Sequence, residues 1–222
     1  SYKNDDLQFT HTYDTHPKQQ DFILHIHDQY EIYCFLAGDA EYLVEGNVYT
    51  LKPGCILIMR PSEVHKVRII SQKPYERYVI QFADSLLNAV DPERYLLKAF
   101  LDRPLGQKNR YFSVDFDQMR PKELLDAMCV PVADEKERRL KVLSYLYSLL
   151  EQLHTAFLQK DDSFSIQRTS AEKLVSYINE HLSDDLSLHL LSERFFLSAS
   201  QINRLFKQAT GSSVGEYILV KR

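Results

Sequence analysis

The sequence has few cysteines and no long apolar run. It contains three cysteines among 222 residues, namely Cys34, Cys55 and Cys129. An odd number without a C-x-x-C pair argues against a disulfide framework and a cysteine zinc site, and it fits a reducing compartment. No stretch approaches the roughly 20 apolar residues of a membrane-spanning helix, and no charged-then-apolar signal segment opens the chain. We therefore expect a cytoplasmic protein without a membrane partner.

The sequence also lacks an excess of basic residues. Its formal net charge is −4, whereas a domain that binds nucleic acid is usually basic. Apolar residues make up 44% and charged residues 26% of the chain, which is typical of a soluble globular protein and excludes disorder throughout. The length suffices for one large domain or two modest ones. Binding to nucleic acid would have to come from a locally basic segment.

Short strand-like runs are the first positive feature of the sequence. Between residues 7 and 83, runs rich in Tyr, Ile, Val, Phe and Leu alternate with turn residues such as Gly38-Asp39 and Pro53-Gly54. Strands at such short, regular spacing predict an all-β sandwich or barrel. Closing the sheet into a barrel removes its exposed edges. We assign residues 1–83 to this barrel.

Residues 84–160 have the pattern of helices, of which the clearest covers 134–159. Its apolar residues follow three-and-four spacing and form a wide stripe: Leu140, Leu143, Leu146, Tyr147, Leu149, Leu150, Leu153 and Phe157. A stripe this wide must be buried, either on a partner helix or on the barrel. We expect a homodimer surface, with packing on the chain's own barrel as the alternative. The polar residues 161–169 predict an interdomain linker.

Residues 170–222 predict an all-α domain in which two short helices are joined by a tight turn. Ser170 can cap a first helix. Ser187 is a good N-cap for a helix over 188–195, and Ser198 for a helix over 199–209 that Gly211 can stop. This spacing is that of a helix-turn-helix. The alternative is an ordinary helical hairpin with solvated polar residues.

The second helix of this pair has the residues that a DNA-reading helix needs. Its polar face carries Ser200, Asn203, Arg204 and Lys207. Arg can bond a guanine edge at two points and Asn an adenine edge, whereas Lys207 is suited to phosphate, which positions the protein without specifying sequence. Residues 199–222 contain four basic side chains and one acidic side chain, so positive charge is concentrated at this end. We expect these four residues to contact double-stranded DNA.

Residues 171–222 resemble the first helix-turn-helix of the AraC (AraC/XylS) family of transcriptional regulators. The matching residues are Val175 to Asn179, Leu188, Leu191-Ser192, Ser198, Ile202, Arg204 to Lys207, Thr210-Gly211 and Tyr217. The resemblance implies a homeodomain-like fold with two such motifs in tandem, and it implies that Ser200, Asn203, Arg204 and Lys207 face DNA. Because this sequence ends at Val220-Lys221-Arg222, we expect only the first motif here and weaker operator binding.

A second set of polar residues lies in the strand region. On an extended strand His25, His27 and Glu31 have the same parity and point to one face. Together with His65 they are a plausible ligand shell for a divalent transition metal. Their spacing resembles the first motif of the cupin superfamily, which implies a jelly-roll barrel. The second motif, at 61–65, is degraded. In AraC-type regulators such a barrel usually binds an effector, often a sugar.

Three interpretations of the His/Glu set are open: a metal-free effector pocket, a structural role at the barrel mouth, and a true metal site. We expect the first, with His25, His27, Glu31, Tyr33 and His65 as effector-binding residues and no metal or cofactor. Tyr42, Tyr78 and Arg77 offer further hydrogen-bonding groups, but the sequence does not give the direction in which their side chains point.

Two functions follow from these patterns. The first is a ligand-responsive, sequence-specific DNA-binding regulator that is not an enzyme. The second is a metal-dependent cupin enzyme, an oxygenase or isomerase, with a helical tail. We expect the first, because the second leaves the segment Arg204 to Lys207 unexplained.

Overall fold

The computed structural model of the chain describes residues 1–116, 121–159 and 169–222. Its strands are β1 (Tyr2–Lys3), β2 (Leu7–Asp14), β3 (Tyr30–Ala37), β4 (Ala40–Val44), β5 (Asn47–Thr50), β6 (Ile56–Met59), β7 (His65–Ile69), β8 (Tyr75–Phe82) and β9 (Arg110–Tyr111). Its α-helices are α1 (Lys98–Leu101), α2 (Pro121–Cys129), α3 (Glu135–Gln159), α4 (Ser170–Glu180), α5 (Leu188–Phe195), α6 (Ala199–Thr210) and α7 (Val214–Lys221). The predicted order of a strand-rich region followed by helices is confirmed.

The strands form two antiparallel sheets. Six strands follow the order β1-β2-β8-β3-β6-β9, and three follow the order β5-β4-β7. Strand β9 lies outside the range 1–83 that the sequence pattern assigned to the barrel, yet it pairs with β6 through Ile56 and Tyr111. Glycine is needed at the predicted turns Gly38-Asp39 and Pro53-Gly54, since Gly38 and Gly54 both have positive φ.

Strand β3 separates two cores because its side chains alternate between the two faces of the sheet. Ile32 and Cys34 pack on one side with residues of α2 and α3. Tyr33 and Phe35 face the space between the two sheets, where they meet Tyr42 of β4. Since both faces are covered, an alternating polar pattern is absent from this strand. Glu31 has the parity of Tyr33, so it also points between the sheets.

The inner side of the α3 stripe packs on the sheet of its own chain. Four leucines there are fully buried, Leu146, Leu149, Leu150 and Leu153. This is the alternative that the sequence left open, and these residues are not available to a partner chain. The outward side keeps two large apolar residues exposed, Leu140 at 68% and Leu158 at 62%.

Helices α4 to α7, here called the helical lobe, form a third core around Ile178, Ile202 and Phe206. The predicted caps at Ser187 and Ser198 are confirmed, since each hydroxyl accepts a hydrogen bond from the third residue of its helix. The first helix is capped by Thr169 rather than by Ser170, because the hydroxyl at the residue before the first turn is the one that reaches the free amides.

The rest of the predicted linker, residues 161–168, lies outside the described residues. Within the described ranges, the structure contains no helix both long and apolar enough to span a bilayer.

Candidate functional site

The structure brings His25, His27, Glu31 and His65 together at one end of the space between the sheets. We call these four residues the His/Glu cluster. Their candidate ligand atoms all lie within 4.8 Å of one another. The segment around His25 bridges the start of β7, where the amides of His25 and His65 each donate to the other's carbonyl at 3.1 Å. The predicted convergence of these residues is therefore confirmed by the geometry.

Backbone carbonyls determine which ring nitrogen of each histidine is free. Nδ1 of His25 lies 3.0 Å from the carbonyl of Ile23, Nδ1 of His27 lies 2.8 Å from that of Gln29, and Nδ1 of His65 lies 2.7 Å from that of Glu63. Since a carbonyl oxygen only accepts, each Nδ1 must carry the proton. A neutral imidazole in this state keeps its lone pair on Nε2. All three rings thus offer Nε2 to the cluster.

Glu31 is the acidic member of the cluster and is 3% exposed. Its Oε1 accepts from the hydroxyl of Tyr42 at 2.8 Å, and its Oε2 accepts from the side-chain Nε2 of Gln81 at 2.8 Å. Burial opposes the carboxylate charge, but the His27 hydrogen bond and the neighbouring histidines outweigh it and lower the pKa of Glu31 to about 2. The cluster therefore holds a buried negative charge at neutral pH.

The surroundings shift the pKa values of His65 and His27 in opposite directions. Burial lowers the pKa of His65 to about 4, against the attraction of Glu31. For His27, burial acts in the same direction, but the hydrogen bond to Glu31 prevails and its pKa is raised. His27 Nε2 and Glu31 Oε2 are 3.1 Å apart, and without a proton or a cation their lone pairs would face each other. Positive charge is thus favoured at this point.

Tyr33, which the sequence also assigned to effector binding, lies outside the His/Glu cluster as defined here. It is buried one pleat further along β3, and its hydroxyl contacts that of Tyr75. Of the further candidates, Tyr78 donates to Asp126 and Arg77 to Asp14, so both point elsewhere. Tyr42 does reach Glu31.

Sequence reasoning missed Gln81. It lies directly opposite Glu31 in the β3–β8 register, so the strand pairing delivers it to the site. Parity alone could not show which strands are neighbours, and hence could not find this contact.

The described cluster can bind a metal ion as well as a polar ligand. Imidazole nitrogens and a carboxylate are ligands for divalent transition metals. Metal-binding histidines usually donate their other ring N–H to a carbonyl or carboxylate, which fixes the tautomer. The sequence-based expectation that the pocket is metal-free stays a prediction.

The predicted DNA-contacting residues share the outer face of α6. Ser200, Arg204 and Lys207 are exposed, and Asn203 is half-buried. The apolar face of the same helix is covered, because Ile202 is fully buried in the core of the helical lobe. The barrel therefore leaves the polar face of α6 open to solvent.

Comparison with known proteins places this geometry in a family. Residues 11–171 match the model of the AraC-like ligand-binding domain. Over 198 residues the chain is 24% identical to the probable transcriptional regulator LumQ of Photobacterium leiognathi, covering 89% of this chain and 72% of that protein. It is 23% identical over 211 residues to the HTH-type transcriptional activator RhaS of Escherichia coli O81 (strain ED1a), covering 90% and 70%.

Among solved structures, the chain is similar to an apo variant of ToxT from Vibrio cholerae strain SCE256, with a TM-score of 0.41, 12% identity and full coverage of both chains. LumQ is described as a probable transcriptional regulator and RhaS as a transcriptional activator, which favours a regulator over the alternative of a metal-dependent enzyme. The chain belongs to the AraC-like ligand-binding domain family and is a ligand-responsive transcriptional regulator of the AraC type.

Proposed function

We propose that a ligand at the His/Glu cluster controls how α5 and α6, acting as a helix-turn-helix, read double-stranded DNA. The observation that carries this proposal is the alternation of side chains in the two segments that hold the histidines. Leu24, Ile26 and Val64 pack on the core of the helical lobe. Their neighbours in sequence, His25, His27 and His65, belong to the cluster.

Each segment thus touches the ligand site with one side and the helical lobe with the other. Because adjacent residues share a backbone, a ligand that shifts the histidines also shifts the apolar residues that support the lobe. A ligand changes the arrangement only if it binds the two states with different affinity. The two segments that hold the histidines provide such a difference in affinity, because their position depends on how the lobe packs.

The proposed DNA-contacting residues are Ser200, Asn203, Arg204 and Lys207, on the open face of α6. The caps and the short connection of the α5–α6 pair support its assignment as a helix-turn-helix. The similarity to RhaS, which is described as HTH-type, supports the same interpretation. A bacterial regulator meets its operator in the cytoplasm, so a cytoplasmic location is part of this proposal.

Arg204→Ala is expected to weaken binding to the cognate operator by about 1–3 kcal/mol and to relax specificity at one base, since its guanidinium would lose a base edge. Lys207→Ala is expected to weaken binding to all sequences and to reduce the salt slope by about one. Fluorescence anisotropy with labelled operator DNA at several salt concentrations measures both effects. The protein used is a longer one that also contains the second helix-turn-helix motif that the family resemblance implies.

Lys173→Ala is the matched control for these variants. Lys173 is an exposed lysine that lies on α4 and not on α6, so its loss removes the same charge from a helix that the proposal does not place on DNA. Unchanged operator affinity in both α6 variants would refute the assignment of α6 as the reading helix.

We further infer a homodimer through the outward face of α3, which leaves Leu140 and Leu158 exposed. Two reading helices would then reach adjacent half-sites. Sedimentation velocity tests this inference, and a monomer at micromolar concentration would contradict it.

The effector class proposed from sequence is a small molecule, with a carbohydrate as one candidate. The rings of Tyr33 and Tyr42 pack on each other, with centroids 4.7 Å apart, and so are not free to stack on a sugar ring. The geometry of the His/Glu cluster supports a more compact ligand.

A further inference from the structure

The His/Glu cluster contains a buried atom without a partner. Nε2 of His65 makes no hydrogen bond to any described residue, and the residue is 0% exposed. An unsatisfied buried polar atom costs free energy. Because the proton is on Nδ1, this Nε2 has only a lone pair. It lies 3.9 Å from Oε2 of Glu31, and the rings of His65 and His27 have centroids 4.9 Å apart.

One cation would satisfy all of these atoms together. It would accept the lone pairs of three Nε2 atoms and one carboxylate oxygen, which is a ligand set typical of divalent transition metals. Ligands about 2.1 Å from one ion are at most about 4.2 Å apart. The present spread of 4.8 Å needs only small side-chain movements to reach that limit. A hydrogen-bonding organic ligand would need donors for every one of these lone pairs.

On the other side of the same backbone, Glu45 fastens the helical lobe to the barrel. The Glu45 side chain is 1% exposed and pairs with Nζ of Lys221 at 2.6 Å. It also accepts from the hydroxyl of Tyr217 at 2.6 Å and from the side-chain Nδ2 of Asn179 at 2.7 Å. Three donors from α4 and α7 therefore converge on one buried carboxylate of the barrel.

Glu45 is joined directly to the segment that holds His65. Its amide donates to the carbonyl of Val64 at 3.0 Å, and its Oε1 accepts from the amide of Val64 at 2.6 Å. The preceding residue, Val44, pairs with His65 in the β4–β7 register. A change in the position of His65 therefore acts on the carboxylate that holds the lobe.

We propose that a divalent transition metal ion, bound by His25, His27, Glu31 and His65, is the signal that strengthens docking of the helical lobe through Glu45. The proposal rests on the proposed function, in which the cluster is the effector site, and it names the ligand class. The metal fixes the 63–65 segment, and that segment fixes Glu45 in the position that Lys221, Tyr217 and Asn179 require.

Metal binding is tested on the chelator-treated protein by calorimetric titration with Zn²⁺ and by visible absorption with Co²⁺. One ion per chain is expected. Loss of a group that hydrogen-bonds a metal ligand lowers metal affinity by about 10- to 100-fold, and loss of a ligand should lower it at least as much, so His25→Ala and Glu31→Gln should each weaken binding by about 100-fold. The matched control is His16→Ala, an exposed histidine outside the cluster. Circular dichroism shows that each variant is folded.

Coupling is tested by amide hydrogen exchange of α4 and α7 with and without Zn²⁺. The metal should raise protection in both helices. Because coupling is reciprocal, Lys221→Ala, which removes a docking contact but no ligand, should weaken Zn²⁺ binding by about fivefold or more. Lys173→Ala removes a lysine from the lobe without a docking contact and should leave Zn²⁺ affinity unchanged.

Each outcome has one meaning. Absence of a bound ion, or binding that survives in His25→Ala and Glu31→Gln, overturns the metal site. Metal binding with unchanged or reduced protection in α4 and α7, together with unaltered affinity in Lys221→Ala, overturns the coupling. Neither result bears on the Arg204 and Lys207 variants, so failure of the metal proposal is distinguishable from failure of the DNA-reading proposal.

Discussion

Arg103→Met is expected to destabilise the protein by about 3–5 kcal/mol, because it leaves the carboxylate of Glu63 buried without its counter-charge. Both side chains are fully inaccessible to solvent. Two guanidinium nitrogens of Arg103 donate to the two carboxylate oxygens of Glu63, at 2.6 and 2.7 Å. Urea unfolding followed by circular dichroism measures the loss.

The pair connects three parts of the barrel domain. Arg103 also donates to the carbonyls of Ala99 and Ile58, and Glu63 accepts from the amide of Gly106 at 2.9 Å. The carbonyl of Glu63 in turn accepts from His65. Removing Arg103 therefore leaves several buried polar groups without a hydrogen-bond partner. It also removes a support of segment 63–65, which carries His65 of the His/Glu cluster.

The effect of Arg103→Met should depend on pH. Burial opposes ionisation of Glu63, but Arg103 outweighs it and lowers the pKa of this carboxyl in the folded protein. A lowered folded-state pKa contributes stability above the unfolded pKa, and that stability is lost as pH falls through the folded pKa. Without Arg103, burial dominates and raises the folded pKa. The destabilisation should then be largest near about pH 7 and smaller near about pH 5, where Glu63 can be buried as the neutral acid.

Two comparisons separate this mechanism from a general loss of packing. Arg94→Met removes the partner of Asp84 in an ion pair whose side chains are 45% and 36% exposed, so it should cost less than about 1 kcal/mol. The double variant Arg103→Met with Glu63→Gln should recover part of the loss. A pH-independent loss with no recovery would contradict the buried-charge explanation.

Leu149→Ala is expected to destabilise the protein by about 2–5 kcal/mol. Leu149 lies on the inner side of α3, is 0% exposed, and packs in the core that α3 shares with the outer face of β3 and β8. The truncation removes buried methyl groups and leaves a cavity that this sheet-and-helix interface can close only partly. Thermal or urea unfolding measures the change.

Leu140→Ala is the matched control in the same helix. Leu140 is 68% exposed, so its truncation should change the stability of one chain by no more than about 0.5 kcal/mol. Equal effects of the two substitutions would show that α3 does not pack on the barrel as described. An effect of Leu140→Ala that grows with protein concentration would support the proposed dimer.

Part of the candidate site was predictable from sequence. His25, His27 and Glu31 are close in the chain and share parity, so local geometry alone directs them to one face. His65 was selected by residue type, and its place in the cluster depends on the bridge with His25. The helix caps at Ser187 and Ser198 were equally local, since a cap involves only the first turn of its own helix.

The rest of the site depends on strand register. Gln81 reaches Glu31 because β8 pairs with β3, and Tyr42 reaches it from the opposite sheet. Tyr33 has the same parity as Glu31 but lies deeper between the sheets, next to Tyr75. Parity predicts the face of the strand on which a side chain lies. How deep the side chain lies between the sheets, and which residues it contacts, depends on strand pairing and twist.

The sequence by itself determined the succession of strands and helices, the two short capped helices α5 and α6, and the histidine pattern, because each depends on residues a few positions apart. Only the tertiary structure decided that the α3 stripe packs on its own barrel and that Glu45 holds α4 and α7. The Glu45 contacts join residues more than 100 positions apart, and the α3 stripe packs on strands that are distant in the chain. Their selection rests on packing and burial of charge, which local sequence does not encode.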